Sequence, residues 1–128
     1  MNFEQVVAWR RHIHQHPELS RQEYETSQYI FDELSKYPGI RLTRPTETSV
    51  VAEIGPEDKE VVLLRADIDA LAMDEEINTD NKSVNPGVAH TCGHDVHAAM
   101  MMGVAAELSF RRGELDGAVR IVFATVGK

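Results

Sequence analysis

The segment Val61–Asp69, VVLLRADID, opens on a run of aliphatic residues and ends on two aspartates separated by one residue. An unbroken apolar run, preceded by the turn-like GPEDKE at 55–60, predicts a strand buried on both faces rather than an alternating one. Strands of that kind belong to parallel sheets, and parallel neighbours need a long crossover, usually a helix. The chain supplies one. From about Asp95 to Arg112 the residues Ala98, Met101, Met102, Ala105 and Leu108 recur at helical spacing, with Gly93 and Asp95 marking the start and Gly113 the end. A second buried strand, AVRIVFATV (118–126), follows directly.

Upstream of this strand–helix–strand unit, Phe3, Val6, Val7, Arg10 and Ile13 space out a helix from Phe3 to about Gln15, ended by Pro17. A second helix is predicted from about Ser20 to Lys36, with Tyr24, Ser27, Ile30, Phe31 and Leu34 inward and YPG (37–39) as its stop. IRLTR (40–44) and SVVAEIG (49–55) read as two short strands divided by Pro45, and the polar stretch Ala70–Val88 reads as a loop. Helix, helix, strands, helix, strand is the order of an α/β domain whose helices pack on a mixed, partly parallel sheet. No repeat, low-complexity tract or linker interrupts it.

Composition narrows the partners. The 128 residues include 13 basic and 21 acidic ones, a formal charge of -8. That field repels a phosphate backbone, so nucleic-acid binding is not expected, and it attracts cations. The single cysteine cannot form an internal disulfide, and no basic-then-apolar leader opens the chain. A cytoplasmic location is therefore expected, with no membrane partner, since the longest nearly apolar run, Ala98–Ala106, is too short to span a bilayer.

Chemistry-bearing residues gather at two places, the aspartates that end the strand and AHTCGHDVHAAMM (89–101) at the start of the third helix. In open α/β sheets, sites form beyond the carboxyl ends of strands, and both places are predicted to lie there. His90, Cys92 and His94 alternate, and Gly93 lets the backbone turn sharply between a thiolate and an imidazole. His97 follows His94 by three residues, on the same helical face. Thiolate plus imidazole suits zinc, nickel or cobalt better than magnesium or calcium. Asp95 is a candidate to orient a ligating imidazole, and Asp67 and Asp69 to orient a histidine or a metal-bound water. Each of these residues alone is better explained by packing or capping; the set is not. The methionines at 100–102 read as core, Asp74, Glu75 and Glu76 as a solvated loop, and His12, His14 and His16 as exposed surface.

Three of these stretches, WRRHIHQHPELSRQEYETSQYI, LLRADIDAL and GVAHTCGHDVHAAMMMGVA, together resemble the M20 metallopeptidase family. The likeness is to its amidohydrolase branch of aminoacylase-, hippurate hydrolase-, auxin-conjugate hydrolase- and N-acetyl-diaminopimelate deacetylase-like enzymes, and it extends to Phe123. It implies a two-ion site of zinc, manganese or nickel that hydrolyses the amide bond of an N-acyl amino acid or short peptide. By that resemblance Cys92 and His94 are metal ligands, with His90 and His97 as further candidates. Asp69, with its neighbour Asp67, supports the site from behind, and His14 and Glu18 belong to a structural motif. Ala72 stands where the family usually has proline.

The resemblance further implies that residues 1–128 are the N-terminal part of a catalytic domain of zinc-peptidase-like fold. By the resemblance, the family's paired glutamates (general base and ligand), later histidine ligands and dimerisation domain are expected downstream of AVRIVF (118–123) and are not among residues 1–128, which read ATVGK at 124–128. The expectation is thus a truncated member, from an interrupted frame or as a fragment, with low or no activity and with sheet edges prone to self-association. A non-catalytic metal-binding or interaction module, or a structural remnant of an interrupted gene, are the alternatives.

Overall fold

The computed structural model describes residues 2–19, 21–57, 59–70, 90 and 93–124. Helix α1 (Phe3–Gln15) starts where the Asn2 side chain accepts a hydrogen bond from the Gln5 N–H at 3.2 Å. It ends at His16, just before Pro17. Its inward face is only partly the expected one: Ile13 is buried and Val6 packs against the core. Trp9, Ile13 and His14 are buried, whereas Phe3 and Val7 are exposed. The indole ring turns the helix: Trp9 Nε1–H donates to Glu33 Oε1 at 2.9 Å, and Tyr37 packs edge-on against the ring.

Helix α2 (Tyr24–Leu34) is shorter at both ends than its sequence pattern predicts, and Tyr24 lies half-exposed rather than inward. Its first turn has no cap from Glu23, the residue before it. The Glu18 carboxylate reaches over instead and accepts from the N–H groups of Thr26 at 2.6 Å and Glu25 at 3.1 Å. A negative charge at two orphan donors of a helix start satisfies both hydrogen bonding and the helix dipole.

Four strands follow: β1 (Arg41–Thr43), β2 (Val50–Ile54), β3 (Val61–Ala66) and, after helix α3 (His94–Phe110) and a single 3₁₀ turn, β4 (Ala118–Phe123). They form one sheet in the order β1-β2-β4-β3, with β3 parallel to β4 and the other pairings antiparallel. The mixed, partly parallel sheet expected from the sequence is thus present, and the unit β3–α3–β4 is its parallel part. Gly55, at φ +104°, turns the chain out of β2 against the start of β4; a Cβ there would lie 2.5 Å from the Gly117 carbonyl oxygen.

Only one face of this sheet is covered by described elements. Val50, Ala52 and Ile54 of β2, Ile121 and Phe123 of β4 and Ala66 of β3 meet Ile13, Ile30, Leu34, Ala98, Met102 and Ala105 from the three helices. On the opposite face the register brings Arg41, Glu53 and Arg120 side by side. Glu53 pairs there with Arg120 at 2.8 Å and Arg41 at 3.2 Å, a cross-strand charge row suited to solvent. Burial of β3 on both faces is therefore corrected. Val61, Val62 and Leu63 are exposed because β3 ends the described sheet and its outer face carries no described layer. The predicted loop at 70–88 lies, apart from Ala70, outside the described residues.

Candidate metal centre

The parallel pairing decides where the chemistry sits. Because β3 and β4 run together from Val61↔Ala118 to Ala66↔Phe123, their carboxyl ends open on the same edge, and Ala124 N–H donates to the Ala66 carbonyl at 3.1 Å. Beyond Ala66 the chain continues through Asp67, Ile68 and Asp69. Ala70 N–H then donates to the Glu18 carbonyl at 2.8 Å, in a parallel bridge between Leu19 and Ala70. The strand end is thereby tied to the turn between α1 and α2. Glu18 works twice here, its backbone anchoring this segment while its side chain caps α2.

Helix α3 begins at the same edge. Gly93, at φ +83°, is its N-cap, a left-handed backbone that favours glycine. The next residue, His94, points its Nδ1 at Asp69, 3.0 Å from Oδ1 and 3.1 Å from the backbone oxygen. Both partners accept, so Nδ1 carries a proton and Nε2 is the ring nitrogen left for a further partner. Nε2 lies 3.8 Å from Asp67 Oδ2, beyond a direct hydrogen bond. Asp67 is itself held by Arg65 at 2.9 Å, and Asp69 is almost fully buried. His94 is thus brought to Asp67 and Asp69 from 27 and 25 positions away in the sequence.

The remaining candidates are distributed differently. Asp95 is 2% exposed, and its Oδ2 accepts from His14 Nδ1 at 2.8 Å and from Arg10 Nε at 2.9 Å. It therefore clamps α3 to α1. His14, read from sequence as exposed surface, is corrected to a buried member of this clamp. The sequence held a signal for it, since Arg10 and His14 stand four apart on one helical face. His90 is buried too, its ring centroid 6.5 Å from that of His14, and among the described residues neither ring nitrogen finds a hydrogen-bond partner. Burial, more than the neighbouring His14 and His94, pushes its pKa down to about 4, so it is a neutral imidazole near pH 7. His97 is exposed on α3. Cys92 lies outside the described residues, as do Ala72, Asp74, Glu75 and Glu76.

These donors fit a divalent metal ion. A histidine whose Nδ1–H is fixed by a carboxylate presents Nε2 as a ligand, the usual outer support of a metal-bound imidazole. A buried neutral imidazole with unmatched nitrogens is of the same chemical kind. Among the described residues, no group of three or more His, Cys, Asp or Glu side chains converges on one point.

Glu23 is a buried carboxyl that sequence reading passed over. It is fully buried, and that burial, with the charges of Asp69 and Glu18 nearby, pushes its pKa up to about 7. The folded chain therefore holds this proton more tightly than the unfolded chain, where the carboxyl titrates near 4.5. The favourable contribution is complete below that value and is lost as pH rises through about 7. We expect Glu23→Gln to flatten the stability profile between pH 5 and pH 8, by up to about 3 kcal/mol. Urea unfolding of both proteins across that range checks it; parallel profiles would show that Glu23 keeps its ordinary pKa.

The fold is similar to that of solved M20-family proteins. It superimposes on a dinuclear metal-binding peptidase of the M20 family, the YXEP protein of Bacillus subtilis, with a TM-score of 0.89 and 44% identity. That alignment covers 94% of this chain and 34% of the other. The profile of peptidase family M20/M25/M40 matches residues 63–125, the span from within β3 to just past β4. An N-acyl-L-amino acid amidohydrolase of Geobacillus stearothermophilus is 48% identical over 119 residues, covering 92% of this chain and 32% of that protein. The IAA-amino acid hydrolase ILR1-like 4 of Arabidopsis thaliana is 43% identical over 122 residues, covering 94% and 28%. The chain belongs to peptidase family M20, and it spans about a third of the length of these curated relatives. No described helix is long and apolar enough to cross a membrane.

Proposed function

We propose that residues 1–128 form the N-terminal part of the catalytic domain of a metal-dependent amidohydrolase that cleaves the amide bond of N-acyl amino acids or short peptides. The observation that carries this reading is the hydrogen bond from His94 Nδ1–H to Asp69, which leaves Nε2 as a donor at the carboxyl edge of the sheet. Cys92 and His94 are the assigned ligands, with His90 and His97 as further candidates. Zinc, manganese or nickel bound there would acidify water and polarise the scissile carbonyl. Asp69 fixes the tautomer and direction of His94. Asp67 stands beside Nε2 and adds negative charge where a cation or an attacking water is held. Asp95 acts on the site indirectly, by locking the start of α3, and with it His94, onto α1. No general base is assigned among these residues.

Release of free amino acid from N-acetyl- and N-benzoyl-amino acids, with zinc or manganese supplied, tests the proposal against Cys92→Ser and His94→Ala. Metal-dependent release lost in both variants supports it, and release indifferent to both variants overturns it. Metal bound through these residues without release favours the alternative, a metal-binding or interaction module. The exposed Val61, Val62 and Leu63 on β3 support self-association through this sheet edge. A monodisperse monomer in light scattering would contradict that part.

A further inference from the structure

The outer surface of α1 carries a stripe that neither the core nor the metal centre uses. Phe3 is 74% exposed and Val7 44%, one helical turn apart, and Glu4, Ala8 and Arg11 are exposed beside them. Apolar side chains at i and i+4 merge into one strip on a helix. Helix α3 lies antiparallel alongside. Its start meets the end of α1 through Asp95 and Arg10, and its end shares a cavity with Gln5 and Val6 near the start. It adds two further exposed apolar side chains one turn apart, Val96 and Met100. Single hydrophobes scattered on a surface need no explanation, but four on one pair of packed helices do.

The charges beside the strip indicate what covers it. Glu4 and Arg11 are seven residues apart, so they occupy the same flank of the helix. Along the axis Glu4 stands about 4.5 Å before Val7, and Arg11 about 6 Å after it. When two copies of α1 cross antiparallel at Val7, a two-fold axis sets Glu4 of each copy against Arg11 of the other. The two then lie within about 1.5 Å of the same height. The same operation lays Val7 on Val7 and closes one apolar strip over the other. Parallel pairing in register would instead set Glu4 against Glu4 and Arg11 against Arg11, so the pattern complements itself only antiparallel.

We propose that the outer face of α1 is an isologous interface on which a second copy of this chain docks antiparallel, with Val7 at the centre and two Glu4–Arg11 ion pairs at the rim. Rim pairs of this kind set orientation more than affinity, and the dimer is a reversible one. No residue of the β3 edge takes part in it.

The test is sedimentation of the full chain carrying Leu63→Lys, which silences the β3 edge, and a monomer–dimer equilibrium is expected. Glu4→Arg or Arg11→Glu alone sets like charges together at both ends and should weaken the dimer at least about tenfold. The two reversals combined restore both pairs with exchanged signs and should return the affinity to within about threefold of the starting chain. A chain that stays monomeric, a dimer indifferent to the single reversals, or one not restored by the double reversal overturns the proposal. Cross-linking supplies a second readout that does not need Leu63→Lys. In a Cys92→Ser chain, Val7→Cys should join to itself on mild oxidation. Arg11→Cys should not, because antiparallel crossing holds its two copies about 12 Å apart along the axis. Equal cross-linking at both positions, or none at Val7→Cys, overturns the proposal equally.

Discussion

Asp95→Ala is expected to cost the fold about 3–5 kcal/mol, measured by urea unfolding. The aspartate is 2% exposed, and a single carboxylate oxygen serves both the buried His14 and the partly exposed Arg10. Removing it takes the shared carboxylate acceptor from His14 and Arg10 at a buried position between α1 and α3. Desolvation of what remains, more than the loss of attraction, sets the size of the effect. Two milder variants grade the argument. Asp95→Asn keeps an acceptor for one donor and should fall well short of the alanine variant. Arg10→Ala, which removes a partner that solvent already screens, should cost under about 1 kcal/mol through the ion pair itself. An alanine variant within 1 kcal/mol of wild type, on the same scale, would mean that the clamp contributes little.

The second large effect concerns the metal. Asp69→Ala is expected to weaken zinc binding by about 10–100-fold, because His94 then loses the acceptor that fixes its tautomer and direction. Asp69→Asn should lose much less, since an amide oxygen can still accept from His94 Nδ1–H. Asp67→Asn tests a different element: this residue pairs with Arg65 and sits 3.8 Å from Nε2, so its contribution is a field rather than a hydrogen bond. Zinc affinity from competition with a chromophoric chelator, together with a far-ultraviolet spectrum of each variant, separates these roles. An affinity unchanged in Asp69→Ala would remove Asp69 from the site.

How much of this was legible before the structure follows from where the signals lie. The end of α1 and the start of α3 were readable because breakers and caps are local: Pro17 stops one helix, and Gly93 opens the other. The meeting of Asp69 with His94 was readable from topology, since parallel β3 and β4 must open on one edge. Which stripe of α1 faces inward was not. Spacing marks Val6 and Ile13, which do pack inward, but allows Phe3 and Val7 as readily as Trp9, and that choice falls to a tertiary contact, Trp9 with Glu33. The exposure of β3 was equally hidden, because an apolar run cannot report whether its strand ends up central or, as here, last among the described strands. The clamp around Asp95 joins residues 81 and 85 positions apart, so only the fold could connect them.

X-ray absorption at the zinc edge of the zinc-loaded chain tests the central assignment most directly. The account predicts imidazole nitrogen at about 2.0 Å together with sulfur at about 2.3 Å. The sulfur shell should vanish in Cys92→Ser and the imidazole signal should fall in His94→Ala. A zinc environment of oxygen alone, or one that neither substitution alters, would contradict it.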